Sequence, residues 1–298
     1  MKFECQRLSD PIGVEIFGLN LTKPIDEKII QDIRRLWLDN NILLFRNIDW
    51  TPEQQISFTK NFGKLHIMPQ LSSVLPPNLT THPEIFIVSN IKKNGKPIGF
   101  KAAGWGWHSD GEDKHIPNMG SMLYAVDVPN KGGDTGFANT YKSCEALPQE
   151  IKKNIVGKRA RFSRITMHSI NYPSLPPLTR KEKLERPDVW HPIIRTHPET
   201  NRECLFIGRW AVEIEGMPAD EGRDVIKELT AFTTKDDFIY IHKWKIGDVI
   251  LWDNRCTQHC AVPYDGEEGM RYLLRTTLEG DLPYYKNKGE KQVCSYLA

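Results

Sequence analysis

The apolar positions of the chain fall mostly into short runs that are typical of β-strands, with a few longer segments of helical spacing. Strands are predicted at residues 12–22, 42–45, 85–88, 121–126, 204–207, 238–242, 248–252 and 270–278. One helix is predicted to open at Asp26, one to run from Thr51 to about Phe62, and one to span roughly 218–233. Many short strands with few helices predict a mainly β fold with flanking helices, and a jelly roll fits this order best.

The stretches between these elements also carry information. Residues 166–191 hold four prolines and several charges, which predicts a long mobile loop of the kind that covers active sites. Residues 282–298 form a polar tail that we expect to be loose. Neither an internal repeat nor a break in composition marks a boundary, so residues 1–298 are predicted to form a single domain.

Composition narrows the class of protein. Charged residues make up 26% and apolar residues 39% of the chain, as expected for a globular protein, and apolar runs such as Ile42 to Phe45 are far too short for a membrane span. No segment of signal-peptide type opens the chain, so we expect a cytoplasmic protein whose six cysteines are thiols. With a net charge of +2, the basic cluster at 152–164 is interpreted as a solvated face.

The sequence Trp107-His108-Ser109-Asp110 is the strongest candidate for chemistry. Its surroundings suggest an extended segment, in which residues i and i+2 point to the same side, so His108 and Asp110 could reach one point. A His-x-Asp pair alone is a weak signal, but His259 follows 149 residues after Asp110, at the end of the strand that begins near Val249. Two histidines and one carboxylate form the set that holds iron(II) and leaves positions open for cosubstrate and oxygen.

Two arginines strengthen this interpretation. Arg271 and Arg275 interrupt an otherwise apolar strand, and their spacing of four places both on one face with Leu273 between them. Guanidinium groups inside a barrel are costly unless each meets an anion, and their planar shape suits a carboxylate. Either arginine could instead reach an acid at the rim of the barrel.

These motifs, taken together, resemble the taurine dioxygenase / 2,4-dichlorophenoxyacetate dioxygenase (TauD/TfdA) family of Fe(II)- and 2-oxoglutarate-dependent oxygenases. The similarity runs in order along nearly the whole chain, through the segments 13–16, 44–46, 62–66, 107–110, 132–135, 195–200, 247–248 and 252–255 and the residues His259, Arg271 and Arg275.

The resemblance implies a double-stranded β-helix, a cupin-like jelly roll, with His108, Asp110 and His259 as iron ligands and catalytic centre. It implies that Thr135 and Arg271 bind 2-oxoglutarate. The expected reaction uses O2 to oxidise, most simply to hydroxylate, a C–H bond of a small anionic substrate, with release of succinate and CO2.

The substrate pocket is where the sequence departs from the taurine enzyme. By the resemblance Arg275 would bind the acidic group of the substrate. Met68 and Leu71 are apolar where that enzyme has polar groups, and Gly104 stands where it has an asparagine. Together with Trp105, these residues predict a pocket for a larger or more apolar body than taurine.

Other functions remain open at this point. A metal-dependent hydrolase or isomerase, or a non-enzymatic metal-binding protein, could use the same jelly roll and the same three ligands. Cys256 and Cys260 flank His259 and could suggest zinc, although no second cysteine pair completes such a site. We expect a small-molecule acidic substrate and neither a nucleic-acid nor a membrane partner. Family members often form dimers or tetramers, so a homo-oligomer is left open.

Overall fold

The computed structural model describes residues 3–67, 82–100, 104–173, 175–262, 269–287, 290–293 and 295–296. The helices are α1 (Glu27–Asn40), α2 (Pro52–Lys60), α3 (Thr140–Glu145), α4 (Gln149–Ile155), α5 (Arg164–Asn171), α6 (Arg180–Glu185) and α7 (Ala219–Thr233), with a 3-10 turn at Asp236–Phe238. The strands of the first half are β1 (Glu4–Arg7), β2 (Val14–Phe17), β3 (Ile42–Phe45), β4 (Phe86–Ser89), β5 (Lys92–Lys93), β6 (Lys96–Pro97), β7 (Gly120–Asp127), β8 (Thr135–Asn139) and β9 (Arg159–Phe162). The strands of the second half are β10 (Val189–Pro192), β11 (Ile194–Thr196), β12 (Glu203–Leu205), β13 (Ala211–Ile214), β14 (Ile239–His242), β15 (Val249–Asp253), β16 (Thr257–Ala261), β17 (Tyr272–Leu278), β18 (Tyr284–Asn287), β19 (Glu290–Val293) and β20 (Ser295–Tyr296).

Two sheets form the barrel-like core. The larger has the strand order β1-β2-β3-β15-β7-β17-β4, and the smaller has the order β14-β8-β16. Their pairings are antiparallel, except that β2 and β3 run parallel. From β3 onwards, neighbours in the larger sheet are distant in sequence, as in a jelly roll, where consecutive strands pass between sheets.

Strand β3 shows how the apolar pattern builds this core. Ile42 and Leu44 pack in one cluster with Phe137 of the smaller sheet, whereas Leu43 and Phe45 pack in another cluster with the helices α1 and α2. Because alternate side chains point to opposite faces, a strand buried on both faces must be apolar throughout. Each fully buried Leu or Ile side chain contributes roughly 1.5–3 kcal/mol.

The helix starts predicted from the sequence are confirmed. Asp26 caps α1 by accepting a hydrogen bond from the Lys28 backbone N–H, and Thr51 and Gln54 form a capping box at the start of α2. Helix α1 buries Ile33 and Trp37 completely against the larger sheet. These two helices therefore cover its outer face.

The segment 166–191, predicted as a long loop, contains regular secondary structure. Most of α5, the whole of α6 and part of β10 lie in this range. Ser163 and Thr179 cap the two helices, and the prolines stand between these elements rather than within them. Capping residues, prolines and charges at short helices resemble loop composition, which is why the pattern was misleading.

The described part of the polar tail contains strands that the sequence did not predict. Strands β18 and β19 form an antiparallel hairpin, and β20 adds to the edge of β10. Main-chain hydrogen bonds, rather than an apolar pattern, define these strands.

Two further findings concern possible partners. Across the described ranges, no helix has the length and apolarity that a bilayer crossing requires. The basic cluster at 152–164 is largely paired with acids: Lys152 with Glu203, Arg159 with Glu215, and Arg161 with Glu213 and Asp188.

Candidate active site

The structure brings His108, Asp110 and His259 together between the two sheets. The backbones of His108 and His259 form an isolated antiparallel bridge, with N–H···O distances of 3.1 and 2.8 Å. Nε2 of each histidine lies 3.9 Å from Oδ1 of Asp110. All three side chains are buried, and their ligand atoms lie within 4.8 Å of one another.

The reason for this convergence differs from the one predicted. His108 pairs only through the isolated bridge, and Asp110 begins a turn, so the motif is not a regular strand. His259 also does not end the strand that begins near Val249. A turn at Asn254 and Arg255 follows β15, and His259 lies on β16 in the smaller sheet. The turn at Asp110 and the bridge between His108 and His259 bring the three side chains together, rather than the alternation of side chains along one strand.

The protonation states of the three groups suit a divalent metal ion. Burial lowers the pKa of His259 to about 4. Burial and the neighbouring His259 also lower the pKa of His108 well below its ordinary value. Although burial alone would raise the pKa of Asp110, Arg275 and the two histidines hold it below its usual range. Two neutral imidazoles and one carboxylate are the donor set that suits non-haem iron(II).

Neighbouring polar groups orient these donors. Nδ1 of His108 lies 2.8 Å from the Gly106 carbonyl, so it can carry the proton and leave the lone pair of Nε2 facing Asp110. Ser121 donates a 2.6 Å hydrogen bond to Oδ2 of Asp110, and Ser121 in turn accepts one from Nδ2 of Asn254. The Asn254 Oδ1 atom accepts from the Asp110 backbone N–H. This closed chain leaves Oδ1 of Asp110 as the oxygen that faces the histidines.

The side chains of Arg271 and Thr135 are both found at the start of β8, in the smaller sheet. Arg271 is 7% exposed, and its Nε donates a 3.2 Å hydrogen bond to the Gly133 carbonyl. A Cβ at Gly133 would stand 3.2 Å from that Nε, so glycine allows the guanidinium to pack over the turn. Thr135 Oγ1 accepts a 2.9 Å hydrogen bond from Nε1 of Trp244 and can still donate to a carboxylate.

The two arginines that the sequence predicts on one strand face meet different partners in the structure. Arg271 precedes β17, and the register of β17 against β7 shifts between Tyr272 and Leu273. Arg275 lies within β17, and its Nη1 donates a 3.0 Å hydrogen bond to Oδ1 of Asp110. The guanidinium group of Arg271 therefore meets the Gly133 turn, whereas that of Arg275 meets the candidate metal ligand.

The predicted substrate pocket is only partly described. Met68 and Leu71 lie outside the described residues. Gly104 adjoins the metal centre, because a Cβ there would lie 3.6 Å from Cε1 of His108. Trp105 is 56% exposed, and its carbonyl accepts a hydrogen bond from Arg209.

Sequence reasoning missed three residues beside the centre. Ser121 and Asn254 support Asp110 as described above, and Lys114 lies in the turn that follows it. Ser121 could have been noticed as a buried polar residue in an apolar strand. Asn254 lies within one of the family segments, whereas Lys114 carries no signal until the turn is folded.

The cysteines do not join this centre. In the described residues the potential metal cluster at His259 contains no cysteine. Cys256 lies in a second cluster with His197 and Asp253, where hydrogen bonds already occupy the polar atoms. The Asp253 carboxylate meets Arg255 and His197, and Cys256 Sγ accepts from Asn41. This second cluster is a buried ion-pair network.

The fold and the site define a jelly-roll protein with a two-histidine, one-carboxylate centre. The family model described as "Taurine catabolism dioxygenase TauD, TfdA family" matches residues 4–277. The chain is 32% identical, over 90% of its length and 94% of the relative's, to the α-ketoglutarate-dependent 2,4-dichlorophenoxyacetate dioxygenase of Cupriavidus pinatubonensis.

Two solved structures resemble the whole chain. A putative α-ketoglutarate-dependent taurine dioxygenase from Burkholderia xenovorans superimposes with a TM-score of 0.81 at 26% identity, covering 99% of this chain and 95% of that one. AAD-2, solved with Mn(II) and N-oxalylglycine, has a TM-score of 0.81 at 30% identity and covers 95% of this chain and 98% of that one.

The chain therefore belongs to the TauD/TfdA family, and it is an Fe(II)- and 2-oxoglutarate-dependent dioxygenase. The predictions of family, jelly-roll fold, enzyme class and cofactors are confirmed.

Proposed function

We propose that this enzyme hydroxylates a C–H bond of a small anionic organic substrate, with His108, Asp110 and His259 as the iron ligands. The observation that carries the proposal is the approach of both imidazole Nε2 atoms to 3.9 Å from one carboxylate oxygen of Asp110. When bound there, iron(II) would supply the activation of O2 that couples decarboxylation of 2-oxoglutarate to substrate oxidation.

The side chains around the ligands would bind 2-oxoglutarate and orient the Asp110 carboxylate. Arg271 and Thr135 would bind the far carboxylate of 2-oxoglutarate, because Arg271 provides a buried guanidinium bonded to the Gly133 turn and Thr135, two residues after that glycine, provides a hydroxyl donor. Ser121 and Asn254 would hold the Asp110 carboxylate in one orientation. Burial of all three ligands limits the access of water.

The substrate is proposed to be a small acid held at Arg275. The 2,4-dichlorophenoxyacetate relative supports an anionic substrate by its name, and Arg275 places a guanidinium beside Asp110. Gly104 leaves space next to His108, and Phe86 packs against the Arg275 guanidinium, so an apolar body is favoured near the acid. A cytoplasmic location and a dimer or tetramer remain proposals that rest on sequence composition and family resemblance.

Succinate formation tests this proposal directly. Purified enzyme with Fe(II), 2-oxoglutarate and O2 should release succinate faster when an accepted acid from a panel of aryloxyalkanoates and sulfonates is added. Asp110→Asn should abolish this release, because the amide removes the charge and alters the donor. Full activity of that variant would refute the assignment of the ligands.

A further inference from the structure

The Thr135 hydroxyl receives a hydrogen bond that limits what it can do with its own hydrogen. Its Oγ1 lies 2.9 Å from Nε1 of Trp244, and both side chains are buried. An indole N–H can only donate, so the hydroxyl oxygen is the acceptor of this bond. Within the described ranges, the Thr135 hydroxyl donates no hydrogen bond of its own. Its hydrogen is therefore left for an incoming acceptor.

The strand pairing of the smaller sheet places Trp244 beside Thr135. Strands β14 and β8 pair so that His242 lies opposite Thr135, and Trp244 follows two residues after His242. Trp244 belongs to an apolar cluster that also contains Phe137 of β8 and Leu273 of β17. Burial in this cluster limits the competition of water for the indole N–H and so strengthens its bond to the hydroxyl.

A buried polar network holds the Trp244 ring in one orientation. The His242 ring packs edge-on against the indole, with ring centroids 4.6 Å apart and an interplanar angle of 86°. His242 is fixed in turn, since its Nε2 lies 3.0 Å from Oδ2 of Asp248 and its Nδ1 lies 3.0 Å from the Tyr240 hydroxyl. Asp248 also accepts two hydrogen bonds from Arg46. The ring that packs against Trp244 therefore has little freedom to turn.

The donor that Trp244 leaves on Thr135 suits a carboxylate, which accepts hydrogen bonds and has none to donate. Thr135 follows two residues after Gly133, whose carbonyl accepts from the Arg271 guanidinium, so the hydroxyl and the guanidinium are found at the same end of β8. Without the indole N–H, the hydroxyl could rotate and present either its hydrogen or a lone pair to a ligand. A lone pair facing a carboxylate would be repulsive.

We propose that Trp244 is a positioning residue for 2-oxoglutarate. Its indole N–H occupies a lone pair of the Thr135 hydroxyl and so leaves the hydroxyl hydrogen to donate to the far carboxylate. This inference rests on the proposed function, in which Thr135 and Arg271 bind that carboxylate. The gain in affinity comes from preorganisation, because the hydroxyl is already oriented before the ligand binds.

Two ligands that differ in the far carboxylate test this role. N-oxalylglycine carries that carboxylate, whereas oxalate can chelate a metal ion but lacks it. Calorimetry would measure the dissociation constant of each with the Mn(II)-loaded enzyme. Trp244→Phe should weaken N-oxalylglycine binding by about three- to tenfold, the effect of one hydrogen bond, and should leave oxalate binding unchanged. Trp50→Phe is the matched control, because the equally buried Trp50 indole donates to the Leu21 carbonyl in another part of the core.

A double-mutant cycle assigns the effect to the hydroxyl. Thr135→Val keeps the shape of the side chain and removes the hydroxyl. If Trp244 acts through that hydroxyl, Trp244→Phe should cause less than about a twofold further loss of N-oxalylglycine affinity in the Thr135→Val background. Site-specific replacement of Trp244 by 3-benzothienylalanine, which has sulfur in place of the indole N–H and nearly the same shape, provides a second variant. It should weaken N-oxalylglycine binding as Trp244→Phe does.

The outcomes separate this inference from the proposed function. The role of Trp244 would be overturned by unchanged N-oxalylglycine binding in the Trp244 variants, by an equal loss of oxalate binding, or by an undiminished loss in the Thr135→Val background. Any of these results, together with weaker N-oxalylglycine binding in Thr135→Val, would leave the proposed function standing. N-oxalylglycine binding that neither Thr135→Val nor Arg271→Gln weakens would count against the proposed function, and the role of Trp244 would fall with it.

Discussion

Arg275 donates a hydrogen bond from Nη1 to Oδ1 of Asp110 over 3.0 Å, and this is the same oxygen that both histidine Nε2 atoms face. A cation bound at the three ligands would therefore share Oδ1 with a guanidinium group. Arg275 acts as the counter-charge of Asp110 in the described structure, and a metal ion would take over part of that role.

Arg275→Gln should consequently tighten metal binding. Removing a positive charge a few ångströms from a divalent ion should improve affinity by at least about tenfold, because such charges repel by on the order of several kcal/mol at intermediate dielectric constants. Ser121 would still orient Asp110. Mn(II) titration measures the effect, and Arg275→Lys, which keeps the charge, should resemble the wild type. Weaker Mn(II) binding by Arg275→Gln would mean that Arg275 is needed to position the carboxylate.

Ser121→Ala should weaken metal binding. The variant leaves Oδ2 of Asp110 without its 2.6 Å hydrogen bond, and loss of such an orienting partner typically costs about 10- to 100-fold in metal affinity. Ser143→Ala is a suitable control, since Ser143 is equally buried but donates to the Thr140 carbonyl in α3. Unchanged Mn(II) affinity in Ser121→Ala would show that the remaining contacts fix Asp110 by themselves.

Arg271 and Thr135 should control the requirement for 2-oxoglutarate. Arg271→Gln should raise the concentration needed for half-maximal succinate formation by at least about tenfold, because a buried charge-assisted hydrogen bond contributes roughly 1.5–3 kcal/mol. Thr135→Val should act in the same direction, and Thr135→Ser, which retains the hydroxyl, should restore the wild-type value. If neither substitution changes this concentration, 2-oxoglutarate binds elsewhere.

Asp253→Asn should destabilise the fold strongly. Asp253 is fully buried and meets Arg255 at 2.6 Å and His197 at 3.1 Å, and removal of one partner from a buried pair costs about 3–5 kcal/mol. Urea unfolding would measure the loss. Asp32→Asn, in a surface pair with Arg35, should cost about 0–1 kcal/mol.

The loss of stability caused by Asp253→Asn should depend on pH. Burial would raise the pKa of Asp253, but Arg255 and His197 hold it far below its usual range. The unfolded chain therefore binds a proton near pH 4 while the folded chain does not, so the contribution of Asp253 is complete above about pH 4 and declines below it. The stability difference between the wild type and Asp253→Asn should shrink as the pH falls from 4 to 2. A constant difference would contradict this assignment.

Local signals in the sequence were sufficient for several elements. Asp26 and Thr51 begin helices because their side chains accept backbone N–H groups within a few residues, and the uniformly apolar strand at Ile42–Phe45 is buried on both faces. The identities of His108, Asp110 and His259 as candidates also came from residue type and order. Helix caps and the burial of an apolar strand depend on residues that are close in sequence, so the local sequence predicts them.

Features that depend on distant segments could not be predicted in this way. The approach of His108 to His259 depends on an isolated bridge between segments about 150 residues apart, and the orientation of Asp110 depends on Ser121 and Asn254. The partners of the two arginines, the Gly133 carbonyl for Arg271 and Asp110 for Arg275, also lie on distant segments.

The central claim is that His108, Asp110 and His259 hold an iron(II) ion to which 2-oxoglutarate can bind. The most direct measurement is an anaerobic titration of the protein with Fe(II) and then 2-oxoglutarate, followed by visible absorption. We predict a charge-transfer band that appears only when both are present and that is absent from His259→Gln and Asp110→Asn. Absence of the band from the wild-type protein, or its persistence in both variants, would contradict the account.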